Sequence, residues 1–208
     1  MMPRNDWESI VAERAPGPGG DAVQAAMRRR RRKNFLPQDQ RKLAGYNRPL
    51  PIGYGQTNSQ PSTVADMLWL LEVRPGHTVL DVGAGSGWTT AILGDLVTEA
   101  GSVLGLEIIP ELAESAAATL EHQQLPWCRI ETATRGVLGA PDQAPFDRIL
   151  VSAEATYLPQ ELVEQLTDDG IMVMTVAGFM LRVVRHGEDP HDAEITRHGP
   201  YRFVDLIT

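Results

Sequence analysis

The stretch Val79-Leu80-Asp81-Val82-Gly83-Ala84-Gly85-Ser86-Gly87 decides the fold. Thr78–Val82 is a short β-branched and apolar run, the pattern of a strand buried on both faces. It stops at three glycines on alternate residues, and Trp88–Leu93 then opens a helical pattern. Glycine lacks a Cβ and tolerates positive φ, so a strand, glycine turn and helix let a ligand approach the backbone. The spacing is G-x-G-x-G rather than G-x-G-x-x-G, and no Gly-Lys-Ser/Thr follows, which excludes a P-loop. The next strand, Ser102–Glu107, ends in a carboxylate twenty residues after Gly87. At the tip of a neighbouring parallel strand such an acid can accept both hydroxyls of a ribose. The alternative is an ordinary βαβ turn with a surface glutamate.

At 208 residues and 42% hydrophobic content the chain can build one domain with a full core. No apolar run reaches membrane-spanning length, and Met1–Asp6 lacks a signal-peptide core, so cytoplasm is the default compartment and no membrane partner is expected. One cysteine, Cys128, rules out an internal disulfide and reads as a buried, inert thiol. His77, His122, His186, His191 and His198 share no ligand spacing, so no metal is expected. Residues 1–50 carry eleven Lys/Arg against five Asp/Glu, and residues 51–208 carry eight against twenty-two. This acidic body argues against a nucleic-acid partner. The run Arg28–Lys33 reads as a solvated helix end, its cations favoured at the helix C-terminus.

In chain order, Asp6–Arg14 predicts a short helix, and Ala15–Gly20 a linker. Asp21 is the expected N-cap of a helix over Ala22–Arg32. Pro51-Ile52-Gly53-Tyr54-Gly55-Gln56-Thr57-Asn58-Ser59-Gln60-Pro61 is a polar, glycine-punctuated loop ahead of a helix over Thr63–Leu71, with Ser62 as its cap. Further on we expect a helix at Pro110–His122, strands at Cys128–Thr132 and Asp147–Ser152, a helix at Pro159–Leu166 and a strand at Gly170–Val176. Leu181–His186 and Tyr201–Ile207 read as edge strands around the polar loop Gly187–His198. The fold expected is α/β and Rossmann-like: a mostly parallel sheet, helices on both faces and an antiparallel edge.

The glycine turn with Glu107 resembles class I S-adenosylmethionine-dependent methyltransferases. The loop Pro51–Pro61 narrows the resemblance to the protein-L-isoaspartate O-methyltransferases, whose Pro-Ile-Gly-x-Gly-Gln-Thr-Ile-Ser-Gln-Pro-like segment it matches except at Asn58. The likeness extends over Val23–Pro37, Glu107–Ala113, Ala144–Val151, Pro159–Leu162, Gln165-Leu166 and Gly199–Leu206. It implies S-adenosylmethionine as cofactor, with S-adenosylhomocysteine as product, bound by Gln56, Thr57, Asp81, Gly83, Ala84, Gly85, Ser86, Gly87, Glu107, Ile108, Arg135 and Gly136. It also implies Ser59 as the catalytic residue, and Ile52, Asn58, Ser59, Val176 and Gly178 as the substrate site. Residues 1–62 are then an N-terminal helical segment carrying the active-site loop, and residues 63–208 the cofactor-binding core, within one compact domain.

The implied reaction methylates the carboxyl of L-isoaspartyl residues in damaged proteins or peptides, acting as a monomer in protein repair. Its acceptor is a carboxylate, so no general base is needed, and positioning plus loss of water does the work. A serine hydroxyl can hold one acceptor oxygen by a charge-assisted hydrogen bond. Four departures stand out. Thr134-Arg135-Gly136 replaces a Gly-Asp-Gly whose aspartate reaches adenine, and Asn58 puts an amide where an apolar side chain is usual. The loop after the fifth strand shortens to Val176–Met180, and Glu154 stands where a small residue is common. They motivate two rivals: a carboxylate methyltransferase acting on a peptide natural product or small metabolite, and a non-catalytic nucleoside-binding module.

Overall fold

The computed structural model describes residues 6–207 apart from 17, 188, 190 and 191. Its centre is a seven-stranded sheet: β3 (Thr78–Val82), β4 (Ser102–Glu107), β5 (Cys128–Thr132), β6 (Phe146–Ala155), β7 (Leu166–Val176), β8 (Phe179–Arg185) and β9 (Ala193–Pro200). A separate hairpin, β1 (Leu50–Gly53) with β2 (Gln56–Asn58), precedes it. The spatial order is β5-β4-β3-β6-β7-β8-β9. The first five strands of that order run parallel, and β8 and β9 are antiparallel. From β3 the chain steps outward through β4 and β5, then returns to lay β6 on the other side. That reversal opens a crevice beyond the carboxyl ends of the strands.

Alternation along the strands sorts the core onto two faces. Val79, Val103, Leu150 and Val173 face a cluster that includes Trp7, Met27, Leu68, Trp88 and Ile92. These side chains come from α1 (Trp7–Arg14), α2 (Pro18–Arg29), α3 (Pro61–Leu71) and α4 (Trp88–Val97), and Ala113, Ala116 and Leu120 of α5 (Pro110–Glu121) join them. Leu80, Leu104, Ile149 and Met172 point the other way, onto Leu162 and Val163 of the one-turn α6 (Gln160–Val163) and onto Ala140. Both faces are covered, but very unequally.

Several boundaries differ from the sequence reading. Asp6 is the N-cap of α1, its Oδ1 accepting the Glu8 N–H at 3.3 Å. Helix α2 starts at Pro18, inside the stretch read as a linker, so Asp21 lies within the helix; the Asp21 side chain is outside the described residues. Proline at N1 is compatible with a helix start, since its missing N–H has no intrahelical partner there. Helix α3 likewise opens at Pro61, and Ser62 is a buried first-turn residue rather than the cap. Asn47 serves this end from outside: its Oδ1 takes the Ser62 N–H and its Nδ2 donates to Ser62 Oγ. Helix α6 is shorter than expected because β7 already begins at Leu166. The last strand is Ala193–Pro200, whereas Tyr201–Ile207 runs extended with a single bridge, Asp205 to Glu154. Of the histidines, His191 lies outside the described residues.

The arginine run is only in part a solvated helix end: Arg28 and Arg29 are exposed in the last turn of α2, whereas Arg30 and Arg32 turn inward. Arg30 forks onto Asp95 through Nε and Nη2 and donates Nη1 to the Gln123 carbonyl, with both charged side chains largely buried. Arg32 is buried within the 3₁₀ turn Arg32–Phe35, while Arg31 and Lys33 are exposed. Removing one member of a buried pair strands its partner's charge, whereas a surface charge contributes little. Arg30→Gln is therefore expected to cost about 2–3 kcal/mol in urea denaturation, with Arg29 at 3.2 Å partly compensating Asp95. Arg31→Gln should stay within about 0.5 kcal/mol of wild type. Equal effects of the two substitutions would contradict this division.

Candidate functional site

Three loops meet above the carboxyl ends of β3, β4 and β5, and their local chemistry fixes their shape. Gly83, Gly85 and Gly87 all hold positive φ, at 79°, 54° and 79°. These backbone conformations disfavour any side chain, and at Gly87 a Cβ would in addition stand 2.8 Å from Ile130 Cδ1, which would have to shift. The N–H groups of Gly83 and Ala84 both bond the Leu106 carbonyl, at 2.8 and 2.9 Å. Glu107, 5% exposed at the tip of β4, accepts the Gly85 N–H on Oε2 at 2.8 Å and the Ile109 N–H on Oε1 at 3.0 Å. Each carboxylate oxygen keeps a lone pair for a further donor.

Glu107 lines a crevice with Gln56, Thr57, Gly83, Gly85 and Ile108, walled on the apolar side by Ala133, Val137 and Leu138. Gln165, buried under that wall, pins it by accepting the Ala140 N–H and donating to the Leu138 and Glu161 carbonyls. Val204–Ile207 also line the crevice. Glu154 holds this run: its N–H donates to the Val204 carbonyl, its carbonyl accepts from Leu206, and its Oε2 accepts the Phe203 N–H at 3.3 Å. The crevice encloses about 60 Å³, well below the roughly 300–1,000 Å³ of small-molecule sites.

A second opening of about 510 Å³ adjoins it, lined by Ser59, Gln60, Thr63, Ser152 and Tyr201–Val204. A narrow third space lies between Asn58, Ser59 and the glycine turn residues Ala84 and Ser86. Thr57 and Ser152 border all three, so the three spaces lie side by side around them. Ser59 stands beside them, half-buried, in the loop leading from β2 to α3.

Several other residues lie off the crevice of Glu107. Asp81 is fully buried beneath the turn, its Oδ2 accepting the Thr89 and Thr90 hydroxyls at 2.8 and 2.7 Å, and it lines none of these spaces. Gly87 starts α4 from below. Arg135 and Gly136 are exposed and the crevice wall is built from their neighbours instead. Ile52 is buried with Leu36, Leu50 and Leu112, and its Cδ1 lies 3.3 Å from where a Cβ of Gly85 would be. Val176 and Gly178 flank the β7–β8 turn; Gly178 accepts the Tyr201 N–H but neither residue borders the spaces around Ser59. Asn58 spends its amide inward, on Arg32 and Ser86. Trp88 packs edge-on against Trp7, with its Nε1 bonded to the Arg30 carbonyl. The sequence reading missed Ser152 and Tyr201–Ile207. The strand-end position of Ser152 was the available signal, whereas Tyr201–Ile207 was read as a strand.

Burial pushes the Asp81 carboxyl up from 3.8 to about 6, against the two threonine hydrogen bonds, and the nearby Glu107 charge adds to the rise. The native state then holds a proton that the unfolded chain has lost, so this contribution is fully present below about pH 4 and lost as pH rises through about 6. The shift corresponds to about 3 kcal/mol. Wild type should accordingly gain thermal stability relative to Asp81→Asn as pH falls from 7 to 5. Parallel Tm curves for the two proteins would remove Asp81 from this role.

A glycine turn after the first parallel strand, an acid at the tip of the second and a crevice at the topological switch define a nucleoside-binding α/β protein of the class I methyltransferase type. The crevice chemistry fits S-adenosylmethionine: free carboxylate lone pairs on Glu107 for ribose hydroxyls, glycines where backbone must approach, and an apolar slot for a base. The chain belongs to the family described as Protein-L-isoaspartate(D-aspartate) O-methyltransferase (PCMT), which matches residues 10–208. It is 43% identical over 187 residues to the protein-L-isoaspartate O-methyltransferase of Methanopyrus kandleri, covering 89% of this chain and 83% of that one. With protein-L-isoaspartate O-methyltransferase 2 of Syntrophobacter fumaroxidans it shares 46% over 187 residues, 88% of this chain and 74% of that one. A Plasmodium falciparum chain assigned to the same activity, solved in complex with S-adenosyl-L-homocysteine, superposes with a TM-score of 0.80. It is 20% identical, over 97% of this chain and 98% of that chain, and shows the shared fold.

Proposed function

We propose that this chain transfers the methyl group of S-adenosylmethionine to the carboxyl of L-isoaspartyl residues in damaged proteins or peptides. The observation that carries the reading is that the spaces around Ser59 adjoin the crevice of Glu107, with Thr57 and Ser152 bordering both. When bound, the cofactor supplies an electrophilic sulfonium methyl. Ser59 donates its hydroxyl to one oxygen of the acceptor carboxylate and leaves the other free to attack. No proton has to be removed, so no general base is required, and the work left to the protein is alignment and exclusion of water. The wall Tyr201–Val204 completes the acceptor opening, and Arg202 adds a cation on its lining for an anionic substrate.

Residues 1–62 supply the acceptor hairpin and residues 63–208 the methyl-donor core, together one compact domain. No helix of the described residues is long and apolar enough to cross a membrane. The reading places the enzyme in the cytoplasm as a monomer; its only cysteine is a buried free thiol, pushed up to about 12 by burial. Labelled methyl transfer to an isoaspartyl peptide, with its aspartyl twin as control, tests the proposal.

A further inference from the structure

Arg32 is 2% exposed, and among the described residues no carboxylate pairs with it. Five oxygens take its place. Nε donates to Asn58 Oδ1 at 2.6 Å, Nη1 to the Tyr46 carbonyl at 3.0 Å and Nη2 to the Arg48 carbonyl at 2.8 Å. Nη2 also reaches the carbonyls of Asn58 at 3.1 Å and Ser59 at 2.9 Å. Those last two carbonyls belong to the peptide units on either side of the Ser59 Cα. Holding both fixes the direction of the Ser59 Cα–Cβ bond, and with it the reach of the hydroxyl. The far end of the Asn58 amide donates to Ser86 Oγ at 3.0 Å, inside the glycine turn. One guanidinium and one amide thus tie the acceptor loop to the donor loop. Below them, the guanidinium carbon lies 5.5 Å from the Trp88 ring centre, which supports the cation from the core side.

We propose that Arg32 is a positioning residue for methyl transfer, acting through Ser59, with Asn58 as its coupling to the glycine turn. The inference rests on the reading of Ser59 as the group that holds the acceptor carboxylate. An isolated buried cation is costly unless its hydrogen bonds are met, and Asn58 meets one that an apolar side chain would leave open. The amide at position 58 is then explained by what it does for Arg32 rather than by contact with substrate. With the two Nη2 hydrogens shared among three carbonyls, the planar guanidinium serves a fan of acceptors that a lysine ammonium cannot reproduce.

The test is a double-mutant cycle on kcat with an isoaspartyl peptide, run well below the Tm of every variant. Arg32→Lys should lower kcat about tenfold to a hundredfold, the loss expected from misplacing a reacting group, with S-adenosylmethionine affinity by calorimetry within about twofold of wild type. In a Ser59→Ala background the same substitution should cost almost nothing more, because the hydroxyl it positions is gone. A merely structural Arg32 would instead lower Tm and leave kcat unchanged, or multiply the Ser59→Ala defect. Either result overturns the proposal while leaving Ser59 in place. Should Ser59→Ala alone keep the wild-type rate, the acceptor assignment fails first and takes this inference with it. Where Arg32→Lys does not fold, Asn58→Ala carries the same cycle with the same non-additivity expected, and additive losses contradict it.

Discussion

A Glu107→Ala variant is expected to lose stability and cofactor affinity together, the largest single effect in the molecule. Glu107 has two duties. It accepts the N–H groups of Gly85 and Ile109, and its unused lone pairs face the crevice where a ribose would lie. Truncation leaves two backbone donors at the strand tip without their acceptor, and hydrogen bonds to a charged group contribute about 1.5–3 kcal/mol each. Allowing for solvent that reaches the opened site, we expect a stability loss of about 2–4 kcal/mol in denaturant titration. S-adenosylmethionine affinity should fall by a further 1–3 kcal/mol, about fivefold to a hundred-and-fiftyfold, measured by calorimetry at a temperature where the variant stays folded. Glu107→Gln separates the duties only in part, because its amide can accept one N–H but opposes the other. Unchanged affinity in folded Glu107→Ala would remove Glu107 from the cofactor site while leaving its loop role intact.

Ser59→Ala should behave in the opposite way. The Ser59 side chain forms no hydrogen bond among those of the described residues that hold the glycine turn, so stability and cofactor affinity are expected to stay near wild type. On the proposed reading its hydroxyl is expected to matter only once the acceptor carboxylate is bound. One charge-assisted hydrogen bond supports a loss of about 1.5–3 kcal/mol in kcat/KM, roughly tenfold to more than a hundredfold. Ser59→Thr keeps the hydroxyl but adds a methyl to a narrow space, and should be impaired by crowding. Full activity in Ser59→Ala would show that this loop is not where the acceptor is held.

The parts of the fold legible in the sequence were those fixed by local pattern. β3, β4 and β5 fall where the apolar runs place them, and α4 opens at Trp88 directly after the glycines. Such segments are buried on both faces or amphipathic, so their periodicity is unambiguous. The misplaced elements lack that contrast. β9 is a mixed Ala-Glu-Ile-Thr-Arg-His-Gly-Pro string on a largely exposed edge, whereas Tyr201–Ile207 is rich in apolar residues and lies across two crevices, with a single bridge to the sheet. β7 begins inside Leu166-Thr167-Asp168-Asp169-Gly170, a turn-like string whose pairing with β6 is interrupted by a register shift.

For the candidate site, spacing and resemblance pointed to the glycine turn, Glu107 and Ser59. They did not point to Arg32. Five consecutive arginines carry no internal signal telling which one meets carbonyls and which one meets water. Only the packing of the 3₁₀ turn against Asn58 and Trp88 separates Arg32 from Arg31. The same holds for Asn58, whose inward amide looked like a change in the acceptor pocket until its partner was visible. Asp81 illustrates the converse: a motif position expected at the ligand is a buried acceptor for Thr89 and Thr90.

The account stands most directly on which carboxyl is methylated. Purified protein would be incubated with S-adenosylmethionine carrying a labelled methyl group and two peptides that differ only in an isoaspartyl or an aspartyl linkage. We expect label in the isoaspartyl peptide alone, released by mild base as expected for an ester, with Ser59→Ala reducing it at unchanged cofactor binding. Cofactor binding with label in neither peptide, or equal label in both, would contradict the account.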